Sequence, residues 1–106
     1  MTDFPSAGQH PRAARFALGT LAATPGALQA LQRLGVSPLS LLRRHVTGDF
    51  GELYPEDLQA NEQAIASGFR VFSAYTLTAA SGDTERFWVI TESDRSVTTV
   101  LLPSEY

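Results

Sequence analysis

Gly68 divides this 106-residue chain into two hydrophobic periods, and that change limits the folds open to it. Before Gly68 the apolar residues recur at helical spacing; after it, β-branched and aromatic residues dominate, as in half-buried strands. Thr24-Pro25-Gly26 marks a helix start, because Thr24 can accept from free amides and Pro25 suits a first helical position, where no N–H is needed. Leu28, Leu31 and Leu34 form an apolar stripe, and Gly35 can close the helix in the left-handed conformation. Ser37-Pro38 repeats the start signal, predicting a second helix over Pro38–Val46 that buries Leu39, Leu42 and Val46. A third runs over Pro55–Ser67, with Glu56 and Asp57 at the positive end of its dipole and Gly68 as its stop. Three strands follow, over residues 69–77, 86–91 and 97–102. The expected fold is α+β, with three N-terminal helices packed on a three-stranded antiparallel meander.

The chain is long enough for one domain with a modest core, expected over residues 16–106 behind a flexible leader at 1–15. It has no cysteine, which excludes disulfides, thiolate metal sites and cysteine nucleophiles. His10 falls in the leader, so no histidine spacing resembles a metal site, and neither metal nor cofactor is expected. Apolar runs are far shorter than the ~20 residues that span a bilayer, and the N-terminus lacks a secretory pattern, so a cytoplasmic location is expected. The eight basic residues are all arginine. Residues 1–48 carry +4 and residues 49–106 carry −7, within a net charge of −3. That balance disfavours broad binding to duplex DNA, which draws on clustered positive charge.

Candidate functional residues gather at the junction of the two halves, in Arg43-Arg44-His45-Val46-Thr47-Gly48-Asp49-Phe50-Gly51. His45 falls near a helix end, where the dipole favours its charged form, and Asp49 could orient it as an acid or base; alternatively, His45 closes the helix structurally. Asn61 lies on the core side of the third helix and must find partners there, in the 48–51 loop or in a ligand. Thr91, Thr98 and Thr99 alternate with apolar residues, as strand threonines do for propensity alone. Arg70 and Arg95 begin one strand and tip one hairpin, where a guanidinium can grip phosphate or carboxylate. No nucleotide-binding loop and no nucleophile elbow is present.

Residues 24–106 resemble a group of small proteins carried by bacterial plasmids and integrated mobile elements. The resemblance rests on Thr24-Pro25-Gly26, Ser37-Pro38-Leu39, Arg44-His45 with Gly48-Asp49-Phe50-Gly51, Asp57 with Asn61, Ser73-Ala74-Tyr75, Trp88-Val89-Ile90-Thr91-Glu92, Asp94-Arg95 and the closing Thr98-Thr99-Val100-Leu101-Leu102-Pro103-Ser104-Glu105-Tyr106. Such proteins are labelled plasmid-related protein or type I restriction endonuclease subunit M. The second label does not fit a chain too short for a methyltransferase domain and lacking its Asn-Pro-Pro-Tyr-type motif. A weaker similarity is to barnase-like ribonucleases, through Arg70-Val71-Phe72-Ser73 and the hairpin ending in Asp94-Arg95, although Arg95 stands where that family has a catalytic histidine.

Two functions follow as expectations. The first, implied by the mobile-element resemblance, is a non-enzymatic accessory protein that binds a protein partner in counter-defence (anti-restriction or anti-CRISPR) or regulation. Its contact residues would be Arg44, His45, Asp49, Asn61, Asp94 and Arg95. The second is a barnase-like metal-independent ribonuclease or toxin-like nuclease domain acting on nucleic acid, which requires His45, Arg70 and Arg95 to converge on one phosphate-sized space with Thr98 or Tyr106 beside it. An exposed edge strand at residues 97–102 would further favour a homodimer.

Overall fold

The computed structural model describes residues 13–106. Strand β1 (Thr20–Ala23) comes first, followed by helices α1 (Pro25–Leu34), α2 (Pro38–Val46) and α3 (Pro55–Ser67). Strands β2 (Val71–Thr78), β3 (Thr84–Thr91) and β4 (Val97–Leu101) follow, and a 3₁₀ turn over Pro103–Glu105 ends the chain. The sheet order is β1-β4-β3-β2. β2–β3 and β3–β4 are antiparallel, and β1 runs parallel to β4.

The fold is therefore α+β, but not three helices preceding a three-stranded antiparallel meander. A strand precedes the helices, and the sheet is four-stranded and mixed. Thr20-Leu21-Ala22-Ala23 offers only one β-branched residue, so its extended state is imposed by pairing: the Thr20 and Thr24 amides donate to the Ser96 and Val100 carbonyls at 2.9 and 3.0 Å. β4 is thereby an interior strand and not the edge expected of residues 97–102. Residues 1–12 of the expected leader, His10 among them, lie outside the described residues. Arg15 is already bound into the domain, its amide donating to the Val46 carbonyl at 2.8 Å and its guanidinium pairing with Glu62.

The three helices form as their caps predict. The Thr24 hydroxyl accepts from the Ala27 amide, Ser37 accepts from Leu39, and Gly35 and Gly68 end α1 and α3 at φ +72° and +81°. Their buried faces are rotated from the expected stripes. α1 buries Ala27, Ala30 and Leu31 and leaves Leu28 exposed; α2 buries Leu41, Leu42 and His45 and leaves Leu39 exposed. Ala27, Ala30 and Leu31 of α1 and Leu41 and Leu42 of α2 form the core with Tyr75, Phe87, Val89 and Val100 of the sheet. A smaller cluster of Phe50, Ala64 and Val71 sits under α3.

Asn61 bonds neither the 48–51 loop nor an open cleft. Its carboxamide donates to the Phe72 carbonyl at 2.6 Å and accepts from the Phe72 amide at 3.1 Å, closing the outer edge of β2 as a neighbouring peptide would. Two residues along the same edge, the Ala74 amide donates to the Phe50 carbonyl and the Glu52 amide to the Ala74 carbonyl. That approach needs Gly51, whose φ is +76° and where a Cβ would stand 2.0 Å from the Ala74 carbonyl oxygen. Asn61→Ala, which orphans both Phe72 groups, should cost roughly 1–2 kcal/mol of stability. Asn61→Asp, which turns a carboxylate oxygen on the Phe72 carbonyl, should cost more, roughly 2–3 kcal/mol. Urea unfolding at pH 7 checks both, and losses below about 0.5 kcal/mol would mean that water closes this edge equally well.

Candidate functional site

The two faces of the sheet carry different chemistry because alternate strand residues point to opposite sides. On the helix side, Ser73, Thr91 and Thr98 share the inward parity of three adjacent strands, and His45 reaches them from the last turn of α2. All four are buried to the limit. His45 Nδ1 lies 2.6 Å from Ser73 Oγ and Nε2 lies 2.9 Å from Thr91 Oγ1. Thr91 Oγ1 lies 2.6 Å from Thr98 Oγ1, which donates to the Leu18 carbonyl at 2.8 Å.

That carbonyl sets the direction of the whole chain, because it can only accept. The Thr98 proton is committed to it, so Thr91 must donate to Thr98 and His45 Nε2–H to Thr91. The bare Nδ1 of the neutral ring then accepts from Ser73. Phe16 and Phe50 close round the imidazole edge-to-face, with centroids 5.2 and 6.4 Å away. Burial pushes the His45 pKa down to about 3, opposite to the rise expected from the helix dipole. Desolvation of a fully buried ring outweighs a terminal dipole, which contributes about 2 kcal/mol at most.

The other residues picked from the sequence do not join this cluster. Asp49 pairs with Arg44, with Nε 2.7 Å from Oδ2, and Arg44 lies over the Tyr75 ring at 4.3 Å. Tyr75 donates its hydroxyl to the Asp49 carbonyl at 2.6 Å, and burial raises its pKa to about 12. Asp94 accepts from the Ser96 amide within the β3–β4 turn. Arg95, at φ +60°, donates to the carbonyls of Phe69 (2.6 Å), Ala64 (3.1 Å) and Glu92 (3.1 Å), tying the turn to the end of α3. Arg70 and Tyr106 do meet, on the far side of the sheet from His45, where an Arg70 N–H donates to the Tyr106 hydroxyl at 3.0 Å. The convergence that a nuclease centred on His45 requires is absent: His45 and Thr98 are sealed under the helices, Arg70 and Tyr106 lie on the opposite face, and Arg95 binds backbone.

No α-helix packs on that opposite face; the 3₁₀ turn over Pro103–Glu105 lies against part of it. Phe72 and Trp88 pack edge-to-face at 5.1 Å, and Trp88 and Tyr106 at 5.6 Å. A cleft of about 320 Å³ opens there between Arg70, Phe72, Trp88, Ile90 and Tyr106. An adjoining hollow of about 360 Å³ is edged by the polar groups of Thr24, Arg70, Glu92, Thr99, Glu105 and Tyr106. Arg70 is balanced by Glu92, Nε to Oε1 at 3.2 Å. Glu105 accepts from the Thr24 hydroxyl at 2.5 Å and from the Gly26 and Leu102 amides at 3.0 Å, which hold its carboxyl below the usual carboxylate range. Outward parity in residues 72, 88, 90, 99 and 101 was the available sequence signal for this face; the covering turn that brings Tyr106 onto Trp88 left none.

Among the described residues no cluster of histidine, aspartate and glutamate could hold a metal ion, and no helix is long and apolar enough to cross a membrane. Comparison with known proteins finds no matching family, no matching curated protein and no matching solved structure.

The buried imidazole makes stability depend on pH. The unfolded ring takes up a proton near 6.5 and the folded ring only near 3, so between those values the unfolded state binds more protons and stability falls as pH falls. From this one group the slope is about 1.4 kcal/mol per pH unit, or roughly 2 kcal/mol between pH 6.5 and 5. His45→Ala should remove that slope and cost roughly 3 kcal/mol at pH 7, through a cavity and two orphaned hydroxyls. Denaturant unfolding of both proteins across this range checks the claim; equal slopes would contradict it.

Proposed function

We propose that this chain is a non-catalytic protein-binding module whose contact surface is the outer face of the sheet. The observation that carries this reading is the row Phe72–Trp88–Tyr106, which no α-helix covers, with its cleft of about 320 Å³ and the guanidinium of Arg70 at the rim. Aromatic groups and arginine beside an apolar hollow supply the anchor chemistry of protein interfaces, where a few such side chains carry most of the binding energy. Charge on this face is nearly balanced, with Arg70 against Glu92 and Arg86 against Glu52, which suits an apolar side chain with polar flanks better than a polyanion. The mobile-element setting, in counter-defence or regulation, is proposed from the sequence resemblance alone. A ribonuclease centred on His45 is disfavoured by its seal, since a general acid or base must reach the proton it transfers.

A photo-crosslinking amino acid tests the surface in cells that make the protein naturally. Placed at Trp88 or Tyr106 it should give one protein adduct of defined mass, whereas at Leu39, exposed on the helix side, it should give none. Trp88→Ala should lose the partner with less than about 1.5 kcal/mol of stability lost, because Trp88 is only half-buried. Equal adducts from Leu39, or RNA cleavage by the purified protein that His45→Ala abolishes, would overturn the proposal.

A further inference from the structure

The two edges of the sheet are treated differently. On β2 the outward groups of Phe72 and Ala74 are closed by the Asn61 carboxamide and by Phe50 and Glu52, and the Glu52 carboxylate stands beside Thr76, accepting its hydroxyl at 2.7 Å. β1 has no such cover among the described residues. Thr20 and Thr24 donate to β4, and the register Thr20↔Val97 to Ala23↔Val100 makes Ala22 the third residue facing β4. The amides and carbonyls of Leu21 and Ala23 therefore point away from the sheet. Thr20, Leu21 and Ala22 are exposed, and the strand contains neither proline nor a charged residue, two common means by which edges are kept from pairing.

We propose that this edge pairs with the β1 of a second copy, antiparallel about a two-fold axis through Ala22, making one continuous eight-stranded sheet. A self-pairing edge must be complementary to itself, and Thr20–Ala23 meets that condition. Leu21 and Ala23 of each copy exchange both backbone bonds with Ala23 and Leu21 of the other, giving four hydrogen bonds. Ala22 then faces its own counterpart as the non-hydrogen-bonded pair, where Cα atoms approach to about 4.5 Å and a small uncharged side chain is required. The four-residue length caps the pairing at those bonds. One four-residue strand from each copy is a small contact beside the roughly 1,200 Å² of a standard interface, so the dimer is weak. This inference does not rest on the outer face being a binding surface.

Sedimentation equilibrium of the full chain from about 10 µM to 1 mM should show the mass rising from 11.5 kDa toward twice that. Ala22→Lys and Ala22→Glu each bring like charges together across the axis and should each weaken association about tenfold or more, with circular dichroism unchanged. An equimolar mixture of the two should restore it, as a dimer of one copy of each, because only a two-fold through residue 22 sets lysine opposite glutamate. In hydrogen exchange, the Leu21 and Ala23 amides should become protected as concentration rises. A wild-type chain that stays monomeric at 1 mM overturns the proposal. So does a dimer indifferent to residue 22, a mixture that fails to associate, or Leu21 and Ala23 amides protected equally at every concentration.

Discussion

A single backbone carbonyl, that of Leu18, sets the order of the polar groups buried in this protein. A serine, a histidine and two threonines lie where water cannot reach, and each would cost stability if left unpaired. They are satisfied in sequence, Ser73 to His45 to Thr91 to Thr98 to Leu18, and the end of that sequence joins the segment before β1 to β4. The chain of bonds thus ties α2, three strands and the N-terminal segment in one register. It also explains why β1 lies beside β4: the Thr98 hydroxyl holds Leu18 where Thr20 can donate to Ser96. Replacing any member with an apolar residue of another shape leaves its neighbours unpaired, so the network specifies the fold as much as it stabilises it.

The buried hydroxyl–imidazole network is confined to the helix side of the sheet, and the other face has a different character. There the aromatic row and the Arg70–Glu92 pair are half-exposed, and the 3₁₀ turn is pinned by Glu105 to the start of α1. Of the groups that resembled a catalytic set in the sequence, Arg70 and Tyr106 are separated from His45 and Thr98 by the thickness of the sheet, and Arg95 is held by the carbonyls of Phe69 and Ala64. What the chain offers at its surface is shape and aromatic contact.

Much of this was legible in the sequence. The three helices were marked by local caps, Thr24-Pro25, Ser37-Pro38 and Pro55 with Gly68, which need no tertiary information. β2, β3 and β4 were marked by composition. β1 was not, because four residues of mostly leucine and alanine become a strand only through β4. Asn61 reads from its helical position as a buried amide in need of partners, but those partners lie in Phe72, eleven residues on, where spacing alone does not point. For His45, local reasoning gave the wrong sign: a helix C-terminus raises its pKa, whereas burial, a tertiary property, lowers it further. Thr91 and Thr98 read as ordinary strand threonines, and nothing local distinguishes Ser73. Their shared inward parity was the trace of a network, visible only once the strand register is known.

The imidazole itself gives the most direct test of this account. Nitrogen-15 NMR of the His45 side chain distinguishes a protonated Nε2 from a protonated Nδ1 and follows the ring through its titration. The directed chain predicts a neutral ring bearing its proton on Nε2, and burial keeps it neutral from pH 8 to pH 5, well below the usual imidazole range. A ring protonated on Nδ1, or one that titrates near 6.5, would contradict it.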